Sequence, residues 1–99
     1  MRSIKKYVDH INEEVEGAKE YAENYIEWKA RGNIQRANTY RDMAHDELTH
    51  AMNIHEFAVQ DIEELRKTYT PPVEMLEKWE HAHRVALEQV ANIKQILSL

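Results

Sequence analysis

The chain repeats apolar and polar residues with the period of an α-helix along nearly its whole length. In the first third, apolar residues recur every three or four positions, as one buried helix face requires. These positions are Ile4, Tyr7, Val8, Ile11, Val15, Ala18, Ala22 and Tyr25. The last third has a similar stripe, formed by Leu76, Trp79, Ala86, Leu87, Val90, Ile93 and Leu97. The pattern predicts long amphipathic helices.

Two short segments interrupt this pattern and predict where the helices end. Gly32, within Arg31-Gly32-Asn33, suits the left-handed residue that commonly closes a helix. In Thr70-Pro71-Pro72, Thr70 is the expected N-cap and Pro71 the expected first helical residue. We therefore expect an all-α fold in a single domain, 1–99, with three long helices at about 3–31, 34–69 and 71–97. The short first loop makes helices one and two antiparallel neighbours.

The second helix combines its apolar positions with a Glu-x-x-His pair, Glu47 and His50. Its apolar stripe comprises Tyr40, Met43, Ala44, Ala51, Ile54, Phe57, Ala58, Ile62 and Leu65. A helical wheel places Glu47 near the middle of this stripe. Because desolvating an isolated carboxylate costs several kcal/mol, a buried Glu47 needs a cation, a shared proton or a metal ion. The pair is therefore a candidate metal site.

Glu14 on helix one is the expected partner of this pair. Most acidic residues of that helix lie on its outer face, but Glu14 lies at the edge of the apolar stripe. In an antiparallel hairpin that turns at Gly32, position 14 meets a level near position 50. We therefore expect Glu14 to face His50 and to lie within reach of Glu47. Carboxylates and imidazole together suit Fe(II), Mn(II) or Zn(II).

Helix three carries a second Glu-x-x-His pair, Glu80 and His83. The i,i+3 spacing places both side chains on one helix face, with His83 at the centre of the apolar stripe and Glu80 at its margin. His83 is open to two interpretations, a metal ligand or a packed core histidine. His10 lies one turn before Glu14 and is a candidate hydrogen-bond partner for it. The other three histidines are expected to point outward: His45, His55 and His81.

The amino-acid composition excludes several classes of protein function. The 99 residues have a net charge of −5 and no cysteine, which excludes disulfides, zinc knuckles, iron–sulfur clusters and thiol catalysis. Because the chain has no run of Lys or Arg, we expect no nucleic-acid binding. The apolar runs are too short to cross a membrane, and a cytoplasmic location is expected. Three long helices with wide apolar stripes bury little surface alone, so we also expect self-association.

The first two helices resemble the first half of a rubrerythrin-type, ferritin-like di-iron protein. In that family a helix-one Glu is followed by Tyr after seven residues, by Gly after eighteen and by Glu-x-x-His-Ala after thirty-three. Glu14, Tyr21, Gly32, Glu47 and His50 match this register without a gap (47 − 14 = 33; 50 − 14 = 36). The small or aromatic positions Ala37, Tyr40, Ala44 and Ala51 also match. The resemblance covers roughly residues 10–55.

The resemblance implies a di-iron centre that oxidises Fe(II) with dioxygen or peroxide, with Mn or Zn as other candidate metals. Glu47 would then be the bridging ligand, His50 a terminal nitrogen donor and Glu14 a terminal or chelating carboxylate, supported by Tyr21 and His10. The family uses four helices, whereas three are predicted here. The encapsulated ferritins resemble such an arrangement, because they are short chains whose iron site lies between two subunits. We therefore expect a homodimer or a larger even-numbered homo-oligomer. Whether the protein also has an encapsulating protein shell as a partner stays an open question at this point.

Three alternatives remain at this point. In the first, Glu80 and His83 join the site within one chain, which leaves the site one ligand short. The Glu47–His50 pair would otherwise be purely structural, in a helical assembly or adaptor protein without enzymatic activity. A third interpretation is a MazG-like, Mg²⁺-dependent nucleotide pyrophosphohydrolase, based on Glu13-Glu14-x-Glu16 with Glu47. His50 argues against it, because Mg²⁺ prefers oxygen ligands.

Overall fold

The computed structural model describes residues 2–99 and confirms the all-helical fold with three helices. Helix α1 spans Ile4–Ala30, α2 spans Ile34–Arg66 and α3 spans Val73–Leu97. The molecule is elongated, about 56 × 19 × 17 Å, because each helix runs along the same long axis. Across residues 2–99, no helix is long and apolar enough to cross a membrane.

The turn between α1 and α2 forms as the sequence predicts. Gly32 has a φ of +81°, and its N–H donates to the Lys29 carbonyl oxygen over 3.0 Å. The Asn33 N–H donates to the Trp28 carbonyl oxygen, also over 3.0 Å, which closes the end of α1. The Asn33 side chain then accepts a hydrogen bond from the Arg36 N–H over 3.1 Å and caps α2. The tight turn folds α2 back along α1.

The second predicted boundary is wrong by a few residues. Helix α2 ends at Arg66 rather than 69, and α3 begins at Val73 rather than 71. Pro72 occupies the N-cap position and no side chain caps the helix, so Thr70 is not the cap. The reason is local: Pro71 precedes Pro72, and a residue before proline is disfavoured in the helical conformation. Pro71 is therefore not the first helical residue, and the N-cap position falls on Pro72.

Helix α1 lies between the other two helices in the packing. Small residues line its contact with α2 and allow a close approach: Ala18, Ala22, Ala37, Ala44, Ala51 and Ala58, each at most 1% exposed. Helix α3 runs parallel to α1, since Lys29 donates to the Leu99 carbonyl at one end and Pro72 lies beside Ile4 at the other. The core side chains of α3 are Trp79, Ala86, Val90, Ile93 and Leu97.

Candidate metal centre

Glu14, Glu47 and His50 come together in the groove between α1 and α2. Each residue offers one ligand atom, and these three atoms lie within 4.8 Å of one another. His50 Nδ1 is 3.7 Å from Glu14 Oε2 and 3.9 Å from Glu47 Oε1. The prediction that Glu14 faces His50 and reaches Glu47 is confirmed. The antiparallel hairpin produces this convergence, because positions 14 and 47–50 are almost equally distant from the turn.

His10 supports Glu14 from the preceding turn of α1, as predicted. Its Nε2 lies 3.1 Å from Glu14 Oε1, and both side chains are partly shielded from solvent. A second carboxylate oxygen of Glu14 remains directed at His50. His10 therefore holds Glu14 in an orientation that leaves one oxygen available to the cluster.

The two carboxyl groups of the cluster shift each other's pKa in opposite directions. The hydrogen bond to Glu47 lowers the pKa of Glu14, and hydrogen bonding to His10 lowers it further. The same Glu14–Glu47 hydrogen bond, together with burial, raises the pKa of Glu47. Of the two carboxyl groups, Glu47 is therefore the one that keeps its proton to the higher pH. A metal ion would compete with protons for both carboxylates and would neutralise their charge.

Gly17 makes room for Glu47, a role that the sequence reasoning missed. A Cβ atom at position 17 would lie 3.3 Å from Glu47 Oε2. That separation is tighter than ordinary van der Waals contact, so only glycine leaves the carboxylate in this position without a shift. The signal in the sequence was a glycine inside a long helix, three residues after Glu14, where glycine costs about 1 kcal/mol relative to alanine.

Helix α2 carries two adjacent apolar stripes, and the structure separates them. The inner stripe faces the rest of the chain and consists of Ala37, Ala44, Leu48, Ala51, His55, Ala58 and Ile62. The outer stripe consists of Tyr40, Met43, Glu47, His50, Ile54, Phe57 and Asp61. The single stripe predicted from the sequence combines residues of both: Met43, Ile54 and Phe57 belong to the outer stripe, and Ala44, Ala51 and Ala58 to the inner one.

This separation corrects the expected position of Glu47. The Glu47 side chain is 26% exposed and that of Glu14 is 20% exposed, so neither lies in the core. The His50 side chain is 57% exposed. Glu47 lies at the edge of the buried face because the fully buried residues of α2 belong to the inner stripe, while Tyr40 and Ile54 of the outer stripe are only partly buried against the core. The cluster is therefore open to solvent on one side of a single chain.

The open side of the cluster faces away from α3. Val8 and Asn12 border α3, and at about 100° per residue Glu14 lies more than 100° around α1 from both of them. Large apolar side chains on the same open side remain accessible: Met43 is 36% exposed and Phe57 is 51% exposed. A metal ligand set and an uncovered apolar surface thus share one face.

Glu80 and His83 are not brought to this cluster. His83 Nε2 lies 3.0 Å from Glu80 Oε2, and His83 Nδ1 lies 3.3 Å from His55 Nε2. The expectation that His55 points outward is wrong, because His55 is half-buried on the inner stripe and stacks near Trp79. Its spacing of four residues from Ala51 and three from Ala58 was the available signal.

Tyr21, the other predicted supporting residue, has a packing contact. Its ring lies 6.2 Å from that of Tyr40, measured between centroids, with the planes tilted by 38°. This contact joins α1 to α2 two turns from Glu14 along the same helix edge. That Tyr21 supports the ligands of a metal ion stays a prediction.

Comparisons with protein-family models, with curated proteins and with solved structures found no match for this chain. The resemblance to rubrerythrin-type proteins therefore rests on the register of Glu14, Tyr21, Gly32, Glu47 and His50 in the sequence. The convergence of Glu14, Glu47 and His50 is a separate observation, which does not depend on this resemblance.

Proposed function

We propose that this protein is a ferritin-like di-iron protein that oxidises Fe(II) with dioxygen or peroxide at a site shared by two copies of the chain. The observation that carries the proposal is the convergence of Glu14, Glu47 and His50 within 4.8 Å on a solvent-open face. At metal–ligand distances of about 2.0–2.2 Å, donors to one ion lie no more than about 4.4 Å apart. Small side-chain rotations would therefore place all three donors on one ion.

The donor set supports iron among the candidate metals. Two carboxylates and one imidazole per chain combine hard oxygen and borderline nitrogen ligands, which suit Fe(II), Mn(II) or Zn(II) better than Mg²⁺. The MazG-like alternative is disfavoured because an imidazole lies 3.7 and 3.9 Å from the two carboxylates, where a Mg²⁺ site would have oxygen ligands.

The open face supports completion of the site by a second chain. Three protein ligands cannot satisfy two metal ions, whereas a twofold axis through the cluster supplies six ligands from two chains. The outer stripe has the alternating three- and four-residue spacing of a helix that packs against another helix. A second hairpin on this face would cover Met43 and Phe57 and would produce a four-helix arrangement.

Each residue has a distinct role in the proposed reaction. The site would supply two electrons from two Fe(II) ions, which together with two protons convert one dioxygen to hydrogen peroxide, or one peroxide to two waters. Glu47, the most central of the three side chains, would hold the ions through its carboxylate and would release any proton it carries to solvent. His50 would donate an imidazole nitrogen, and Glu14 a carboxylate that His10 keeps oriented over 3.1 Å.

The test is an aerobic titration of metal-stripped protein with Fe(II), counting bound iron per chain and following ferric absorbance. We expect saturation near one iron per chain and loss of both signals in Glu47→Ala. Glu80→Ala is the matched control, since Glu80 also lies beside a histidine at i+3 but outside the cluster. Equal losses in the two variants would overturn the shared site.

The same titration separates iron chemistry from a structural role of the cluster. The opposite pKa shifts of Glu14 and Glu47 need no metal, and a purely structural pair in a helical assembly or adaptor protein would show them too. That alternative predicts no binding above the level of Glu47→Ala, together with an unchanged helical content in the variant. Two irons per chain, both lost in Glu47→Ala, would instead indicate a complete site within each chain.

A further inference from the structure

A second group of potential ligands lies where α2 passes α3. His55 Nε2 and His83 Nδ1 are 3.3 Å apart, with ring centroids separated by 5.4 Å and planes tilted by 38°. The two residues come from different helices and are 28 positions apart in the sequence. They also lie outside the Glu14–Glu47–His50 cluster, because His55 is about 140° around α2 from His50.

The separation of the two nitrogens matches chelation of one ion. Two imidazole nitrogens bound to a tetrahedral metal at about 2.0–2.1 Å lie about 3.3–3.4 Å from each other. An ion could therefore replace the proton between His55 and His83 with a rotation of the rings and little movement of either helix. Water would complete the coordination.

The far nitrogen of His83 has the carboxylate partner that metal-binding histidines commonly have. Glu80 Oε2 lies 3.0 Å from His83 Nε2, and Arg84 holds the other oxygen of Glu80 over 3.1 Å. When His83 Nε2 donates its proton to Glu80, the lone pair of Nδ1 is directed towards His55. Glu80 thus orients His83 without being a ligand itself.

Packing restrains both rings. Trp79 is 8% exposed and stacks on His83 with centroids 5.3 Å apart and planes at 15°. The same indole lies 5.5 Å from the His55 ring. Burial also lowers the pKa of His55, which favours the neutral form that binds metal. Restrained imidazoles lose little entropy when they bind an ion.

We propose that His55 and His83 form a second metal site, which binds a borderline divalent ion such as Zn²⁺ and joins α3 to α2. Nitrogen donors without carboxylate ligands distinguish it from the iron site proposed above. The site also has a structural consequence. Because α3 packs mainly on α1, an ion held by His55 and His83 would add a direct connection between α3 and α2.

Trp79 provides a local probe for this site. The chain has two tryptophans, and in Trp28→Phe only Trp79 would report. Co(II), a paramagnetic substitute for Zn²⁺, is titrated into this metal-stripped variant. We expect one equivalent to quench Trp79 fluorescence and Zn²⁺ to reverse the quenching by displacement. His55→Gln and His83→Gln should each weaken binding more than about tenfold, and Glu80→Gln by up to about tenfold.

Matched controls make the experiment specific. His45→Gln and His81→Gln remove exposed histidines from α2 and α3 and should leave the quenching unchanged. Glu47→Gln should also leave it unchanged, so the result does not depend on the proposed iron site. Zn²⁺ should raise the melting temperature of Glu47→Gln, but not that of the double variant Glu47→Gln/His83→Gln.

Two results would overturn this proposal. One is the absence of a Trp79 response to Co(II) at protein-equivalent concentration, and the other is equal binding by His55→Gln and His81→Gln. Either would mean that the two imidazoles only share a hydrogen bond. If a variant does not fold, as judged by the loss of its helical circular dichroism, the binding test uses ¹⁵N NMR of the imidazoles in the wild-type protein instead. Zn²⁺ should then shift His55 Nε2 and His83 Nδ1, and unshifted signals would equally overturn the site.

Discussion

The two stripes of α2 differ in what covers them. The inner stripe is lined by small residues and by Leu48 and Ile62, all at most 5% exposed, because α1 packs closely against it. The outer stripe has the same three- and four-residue spacing but leaves Phe57 51% exposed and contains Glu47 and His50. Two adjacent faces of α2 thus share the same spacing, and residue size and chemistry distinguish the face that is buried within the chain from the more exposed one.

The strongest test of this difference replaces Phe57 on the outer stripe by Glu. If a second chain covers this stripe, a charge there should convert the dimer to monomer, because an unpaired charge would have to be desolvated in the interface. Sedimentation velocity measures the change. Ile34→Glu is the control, since Ile34 is 52% exposed but does not belong to the outer stripe. A wild-type monomer, or equal effects of both changes, would contradict the shared site.

A change on the inner stripe should act on stability instead. Ala44 is 0% exposed, so Ala44→Leu forces extra volume between α1 and α2 and should lower the free energy of unfolding by about 1–3 kcal/mol. Urea denaturation followed by circular dichroism measures it. Met43→Leu, one residue away on the outer stripe, should have a small effect. A larger loss from Met43→Leu would show that the assignment of the stripes is reversed.

Gly17→Ala should separate stability from metal binding. Alanine favours the helix by up to about 1 kcal/mol, but its Cβ would lie 3.3 Å from Glu47 Oε2 and displace that carboxylate. We expect a higher urea midpoint and a several-fold weaker Fe(II) affinity in the same variant. Asn53→Ala is the control on an exposed helical position, where only stability should rise. Unchanged affinity in Gly17→Ala would mean that the position of Glu47 does not matter for binding.

The smallest predicted effect is a pH dependence of the metal-free protein. The raised pKa of Glu47 contributes stability that is present below its ordinary value of 4.5 and is lost as the pH rises through the raised value. The lowered pKa of Glu14 acts oppositely and contributes stability that is lost as the pH falls through the lowered value. The pair therefore stabilises the fold most between these two values.

Thermal melts across pH 3–8 test this dependence. In Glu47→Gln, which mimics the protonated side chain, the decline in melting temperature above the raised pKa should disappear. Fe(II) affinity of the wild type should rise over the same interval as Glu47 loses its proton. A wild type and a variant with parallel pH profiles would show that the pKa of Glu47 is not raised.

Local chemistry made much of the fold predictable from the sequence. Helical periodicity predicted three helices, and Gly32 predicted the turn that brings position 14 level with position 50. That level matching is sufficient to bring Glu14 near His50 and Glu47, because helix geometry converts sequence distance from a turn into position along the axis. The start of α3 was less predictable, because Pro71 precedes Pro72 and the helix begins only after both.

What the sequence by itself determined is which residues share a helix face and which levels meet across a short turn. Only the tertiary structure decided how far each helix rotates about its own axis. A rotation that buries Ala44 and Leu48 places Glu47 at the edge of the core, directs His55 towards His83 and leaves His50 exposed. Periodicity cannot supply that rotation when two adjacent stripes are both apolar, since the choice depends on which residues are small enough for α1 to approach.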